Sequence, residues 1–163
     1  MKRNLIYAWM LLIAGIGFSA CSNLDESAFT PVPTEESLIY AETFANDLGD
    51  FTVKSVSGDQ KWDYYSSGYA IISGYVSPSN FANEDWLISP EIDLTNQTAA
   101  YFSFNHVARY FSNLATDATV WISNNYVEGL PSTATWTKLA TNPFTDPGSW
   151  TFSNSQAISL TAY

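Results

Sequence analysis

The stretch AAYFSFNHVARYF, residues 99–111, alternates with a period of two. Phe102, Phe104, His106, Ala108 and Tyr110 fall on one face; Tyr101, Ser103, Asn105, Val107 and Arg109 fall on the other. Only a β-strand places every second side chain on the same side. The rest of the chain points the same way. DFTVKSV alternates, and GYAIISGYV, residues 68–76, is β-branched and aromatic, with Gly74 inside it as the mark of a bulge or a close backbone approach. DATVWISN, TWTKLAT and SWTFSNSQAISL are further strand-like runs, separated by the turn-rich NNYVEGLPST and NPFTDPGS. YAETF, near residue 40, reads as a short opening strand, and DWLISPEIDL as a strand broken by Pro90, with Ile92 and Leu94 resuming a buried face. Asp47 and Asp50 in NDLGD read as turn residues. Many short strands between Gly, Pro, Asn and Ser turns predict an all-β antiparallel sandwich.

The chain starts differently. Lys2 and Arg3 precede an apolar run from Leu5 to Phe18, followed by Ser19, Ala20 and the single cysteine, Cys21. That run is shorter than the roughly 20 residues of a membrane span and fits a secretory signal helix. One cysteine forms no internal disulfide and no multi-cysteine zinc site. The order of parts, ending in FSAC, resembles the bacterial lipoprotein signal. The resemblance implies cleavage before Cys21 and acylation of that residue. The acidic SNLDES that follows resembles the export signal of Bacteroidetes lipoproteins, which implies an outer-membrane anchor facing the cell exterior. Residues 1–20 are thus expected to be a signal peptide, 21–39 a tether extended around PVP, and 40–163 the β-domain.

Charge narrows the partners. Sixteen Asp and Glu oppose six Lys and Arg, a net charge of −10, and Lys2 and Arg3 leave with the signal. A chain so acidic repels nucleic acid, whose binding rests on neutralising phosphates. Charged residues make up only 13% of the chain while aromatics reach 16%, so stacking surfaces outnumber catalytic candidates.

NEDWLISPEIDL, residues 83–94, follows SGYAIISGY and precedes YFSFNHVARYF. Together with Glu42-Thr43-Phe44, Trp62 and Gly68-Tyr69, this order resembles the choice-of-anchor J and cleaved-adhesin jelly-roll domains of Bacteroidetes surface proteins. The resemblance implies a jelly-roll sandwich over residues 40–163. Family members generally run on for further strands beyond the element like AISLTAY. The domain is therefore expected to lack its closing strands, through a truncated reading frame or, alternatively, with sheets closed in another way. The family also implies a structural calcium ion near the first strand, with Glu42 and Asp85 as candidate ligands.

His106, the lone histidine, reads as a hydrogen-bonded strand residue, because a nucleophilic triad needs a carboxylate and a nucleophile beside it. Glu84 and Asp85 are adjacent and point to opposite sides of a strand, so they do not form the paired carboxylates of glycoside hydrolysis. Tyr64, Tyr65 and Trp121, with Tyr126 and Trp150 behind them, are candidate stacking residues for a sugar ring, although core packing is the commoner role for any one such aromatic. The expected function is a non-catalytic surface lipoprotein module for adhesion or for glycan or protein binding. The alternative is an accessory, carbohydrate-binding module of a surface enzyme whose catalytic part lies elsewhere.

Overall fold

The computed structural model describes residues 38–140 and 142–163. Cys21, the signal and most of the tether lie outside them. In chain order the strands are β1 (Thr52–Ser57), β2 (Asp63–Tyr65), β3 (Tyr69–Ile71), β4 (Tyr75–Val76), β5 (Ser79–Asn80), β6 (Glu84–Ile88), β7 (Tyr101–Phe102), β8 (Asn105–His106), β9 (Trp121–Ile122), β10 (Thr137–Lys138), β11 (Ser153–Asn154) and β12 (Ile158–Ser159). Among the described residues, helical structure is confined to one turn, α1 (Leu114–Asp117), and a 3-10 turn at Pro131–Thr133. The domain is all-β, and every strand pair is antiparallel: β1 with β6, β2 with β3, β4 with β5, β7 with β12, β8 with β11 and β9 with β10. No helix among the described residues is long and apolar enough to cross a membrane.

The alternating stretch is not one continuous strand: it forms β7 and β8, two residues each, and Phe102 is exposed. His106 and Ala108 are buried and Phe104 is half-buried, while Asn105 on the opposite face is exposed. Tyr110 then adopts a positive φ of 64°, which reverses the chain and sends the ring into solvent. The partner strand carries a bulge. Phe102 faces Ile158 and Asn105 faces Asn154, so three steps on one side meet four on the other. The extra residue lies in Ser155–Ala157, where Gln156 has φ 63°. Ser155 bridges the irregularity: its N–H donates to Phe104 O, and its Oγ accepts from Phe104 N, both at 2.9 Å. Leu160 N to Ala100 O, also 2.9 Å, closes the far end.

The longest ladder is β1–β6, running from Thr52 opposite Ile88 to Ser57 opposite Glu84, with a shift between Ser55 and Ser57. It stops at Ile88, two residues before Pro90, which has no N–H to donate. Ile92 and Leu94 do not resume a strand. Asp93 instead forms an Asx turn, its Oδ1 accepting from the N–H (2.9 Å) and hydroxyl (2.6 Å) of Thr95. These donors hold the Asp93 carboxyl below its usual pKa.

YAETF is likewise not a strand. Glu42 Oε1 accepts from Thr43 N at 2.7 Å and Phe44 N at 2.6 Å, curling the backbone so that Phe44 takes φ 50°. Its ring packs edge-on against Phe51. GYAIISGYV divides into β3 and β4 at Ser73-Gly74. Gly74 makes the close approach its place in the run predicts: a Cβ there would lie 2.9 Å from Phe81 O, whose residue donates its N–H to Gly74 O at 2.8 Å.

Among the described residues, the buried apolar ones are Ile88, Ala108, Leu139 and Pro131, and the buried polar ones His106 and Ser155. Three of these six belong to the segment around His106 and its partner strand. Large aromatic side chains elsewhere stay partly open to water.

Candidate functional site

The largest gathering of open aromatics sits where β6 meets the β9–β10 hairpin. Thr137 pairs with Ile122 and Lys138 with Trp121. Trp121 and Trp136 are therefore diagonal neighbours on one face of this hairpin, a spacing of about 7–8 Å for such pairs. Trp86, from β6, packs against both, with ring centroids 6.0 Å from Trp121 and 5.0 Å from Trp136. Tyr126 supports Trp136 from behind at 5.3 Å. The rings line an open cleft of ≈ 370 Å³, together with Val56, Leu130, Pro131 and Ala134, and with Glu84 and Ser132 as its polar members.

The loop between β9 and β10 is held by its own polar groups. Ser123 Oγ accepts from the N–H of Asn125 (3.2 Å) and Tyr126 (3.1 Å). Asn125 Oδ1 reaches across the loop to accept from Thr135 N at 2.9 Å. Tyr126 donates its hydroxyl proton to Gly129 O at 2.9 Å, and Gly129 adopts φ 93°, a region closed to most side chains. Each indole N–H is engaged within the protein: Trp86 with Glu84 Oε1 (3.0 Å), Trp121 with Thr119 Oγ1 (2.9 Å) and Trp136 with Pro131 O (2.8 Å). These bonds fix the ring planes, so the cleft presents π-faces rather than free donors.

The candidates read from the sequence are distributed over separate places. Trp121 lies in the cleft and is 37% exposed. Tyr65 stacks on Tyr69 at 5.0 Å and 24°, and Tyr69 meets Phe152 edge-on. Tyr64 turns its hydroxyl to Ala45 O at 3.2 Å and tethers the opening loop. Trp150 is 70% exposed and joins Tyr110 in holding Arg109: the guanidinium carbon lies 4.8 Å from the Tyr110 ring centre and 5.5 Å from that of Trp150. Asp146 completes this group, its Oδ1 3.2 Å from Arg109 Nε. Trp86 and Trp136 were legible only as core-strand aromatics; the missed signal was the tryptophan pair flanking the turn-rich NNYVEGLPST.

Asp85 Oδ2 accepts from Asn83 Nδ2 at 2.5 Å, Asp85 Oδ1 is buried without a hydrogen-bond partner, and the Asp85 carbonyl receives Trp62 Nε1 at 3.4 Å. Glu42 is committed to its own turn. No three His, Cys, Asp or Glu side chains converge among the described residues. Burial lowers the pKa of His106, whose ring lies between Phe104 and Phe144 at 5.4 and 5.1 Å. Thr145 N donates to its Nε2 at 3.0 Å, which places the ring proton on Nδ1. His106 is a packed strand histidine.

Searches against protein-family models, curated proteins and solved structures return no match for this chain.

Proposed function

We propose that the chain is a non-catalytic binding module of a surface lipoprotein. In this reading Cys21 carries the lipid, residues 22–39 form the tether, and a jelly-roll-type β-domain presents a ligand site to the exterior. The observation that carries the binding part is the Trp86–Trp121–Trp136 cleft. Trp121 is 37% exposed and Trp86 and Trp136 are half-buried beside the cleft, so ligand stacking would cover apolar surface that these rings leave to water. The lipobox-like FSAC supports the anchor. Two acyl chains or more on one residue suffice for stable membrane association.

The ligand is a glycan or a surface protein that stacks on the cleft. Tryptophan fluorescence of membrane-extracted protein, titrated with saccharides and screened on a glycan array and against surface proteins, tests this. The expected result is a saturable change that disappears in Trp121→Ala. Binding unaffected by that substitution moves the site elsewhere. In parallel, Cys21→Ser is expected to release the protein from the membrane fraction, and normal retention of the processed variant counts against lipidation.

A further inference from the structure

We propose that the Trp86–Trp121–Trp136 cleft recognises a quaternary ammonium group, of the choline type, held between indole faces with Glu84 as its counter-charge. The proposal rests on the reading of this cleft as the ligand site and names the chemistry it selects.

The first argument is what the cleft lacks for a neutral sugar. Specific hydroxyl recognition needs converging donors and acceptors. Here all three indole N–H groups are spent inside the protein, and Glu84 and Ser132 are the polar lining. Hydroxyls pressed against Val56, Leu130 and Ala134 would lose water without replacement. A quaternary ammonium has no N–H to satisfy. Its methyl shell suits apolar walls and its charge suits π-faces.

The second argument is spacing and charge. A cation between the diagonal Trp121 and Trp136, over Trp86, can lie within about 6 Å of more than one ring centre, the range of cation–π attraction. Glu84 adds a carboxylate at the same wall, on a chain of net charge −10. Among the described residues, no Lys or Arg lines the cleft. Lys138, opposite Trp121, directs its ammonium to Ala115 O at 3.2 Å, and Lys54, opposite Trp86, is not part of the lining.

The third argument is internal. The Arg109 site shows the same design with the protein's own cation: two aromatic faces, Tyr110 and Trp150, and one carboxylate, Asp146. The Trp86 cleft repeats the aromatic walls and the carboxylate but is lined by no basic side chain.

The test titrates membrane-extracted full-length protein with choline and with 3,3-dimethylbutan-1-ol, its neutral isostere, following tryptophan fluorescence. Choline is expected to saturate, and the alcohol to bind about tenfold more weakly or worse. Trp121→Ala is expected to weaken choline binding about tenfold, and Glu84→Gln about threefold. If Trp121→Ala does not fold, Trp121→Phe and Glu84→Gln carry the test. Equal binding of choline and the alcohol overturns the proposal, as does choline binding that both variants leave unchanged. Saccharide or protein binding that needs Trp121, without any response to choline, overturns this inference and leaves the binding-module reading standing. No response to any ligand class overturns both. Tighter binding of a trimethyl-lysine peptide than of choline supports the same chemistry and names a protein as its carrier.

Discussion

Two aromatic regions of this chain are built from similar residues and differ in the polar groups they gather. Around His106, the rings of Phe102, Phe104 and Phe144 pack on one another and on the imidazole, and Ser155 is buried with its hydroxyl satisfied. Around Trp86, the rings of Trp121 and Trp136 are also in contact and border an open cleft, and Tyr126 packs on Trp136 without lining it. The difference lies in the edges. Phenylalanine carries no polar atom and gains most by full burial. Tryptophan can spend its N–H on a neighbour and still show its faces to water or ligand. Exposure alone does not separate the two regions: Phe102 is 38% and Trp121 37% exposed, while Phe104, Phe144, Trp86 and Trp136 are all half-buried.

Substitutions that separate stability from binding sharpen this contrast. The largest effect is expected from Phe104→Ala, which removes a ring shared by Phe102, His106 and Phe144. A loss of about 3 kcal/mol, at the low end for Phe→Ala because the ring is half-buried, should appear in urea unfolding. Ligand affinity of the folded fraction should be unchanged. A loss below about 1 kcal/mol would break the assignment of the core to this region.

Ser155→Ala comes next. It removes the acceptor for Phe104 N and the donor to Gln156 O at the bulge. About 1–2 kcal/mol should be lost, because a buried N–H is left with fewer partners. Ser155→Thr, which keeps the hydroxyl, should recover part of it.

The third effect is a pH dependence. Burial lowers the folded-state pKa of His106 from its ordinary 6.5, so the unfolded chain takes up a proton first. The stability linked to neutral His106 is full above pH 6.5 and is lost as pH falls through the lower folded value. The slope is at most about 1.4 kcal/mol per pH unit for one proton. It should vanish in His106→Phe, measured as the difference between the two proteins' stability–pH curves. A slope that persists unchanged would assign it to the carboxylates instead.

The smallest effect on stability is expected in the open region. Glu84→Gln keeps a hydrogen-bond acceptor for Trp86 Nε1 and should change stability by no more than about 0.5 kcal/mol. A large loss of stability there would show that the cleft is a second core rather than a binding surface.

The alternation that put Phe102, Phe104, His106, Ala108 and Tyr110 on one face marked an extended stretch, since period-two patterning is a local property of the backbone. The stretch nevertheless forms two short strands with different partners, and only His106 and Ala108 on that face are buried. The same logic placed β1 and β6 and marked Gly74 as a close approach. It failed at YAETF, where the Glu42 side chain captures two backbone N–H groups and curls the chain, and at IDL, where Asp93 does the same for Thr95. Short polar loops won over apolar spacing in both places. Of the stacking candidates, Trp121 lies in the cleft, whereas Tyr64 and Tyr65 lie in separate contacts. Its partners were hidden because Trp86 and Trp136 look like ordinary strand aromatics until their strands meet.

By itself, the sequence determined the all-β class, the acidic character and the punctuation by Gly, Pro, Asn and Ser turns, since each depends on composition or on neighbours a few residues apart. The tertiary structure decided which rings would meet and which polar groups would gather beside them. Trp86, Trp121 and Trp136 come together only through the docking of β6 on the β9–β10 hairpin, and the register of that hairpin puts Trp121 and Trp136 on one face. Register is a property of paired strands, and no single strand carries it.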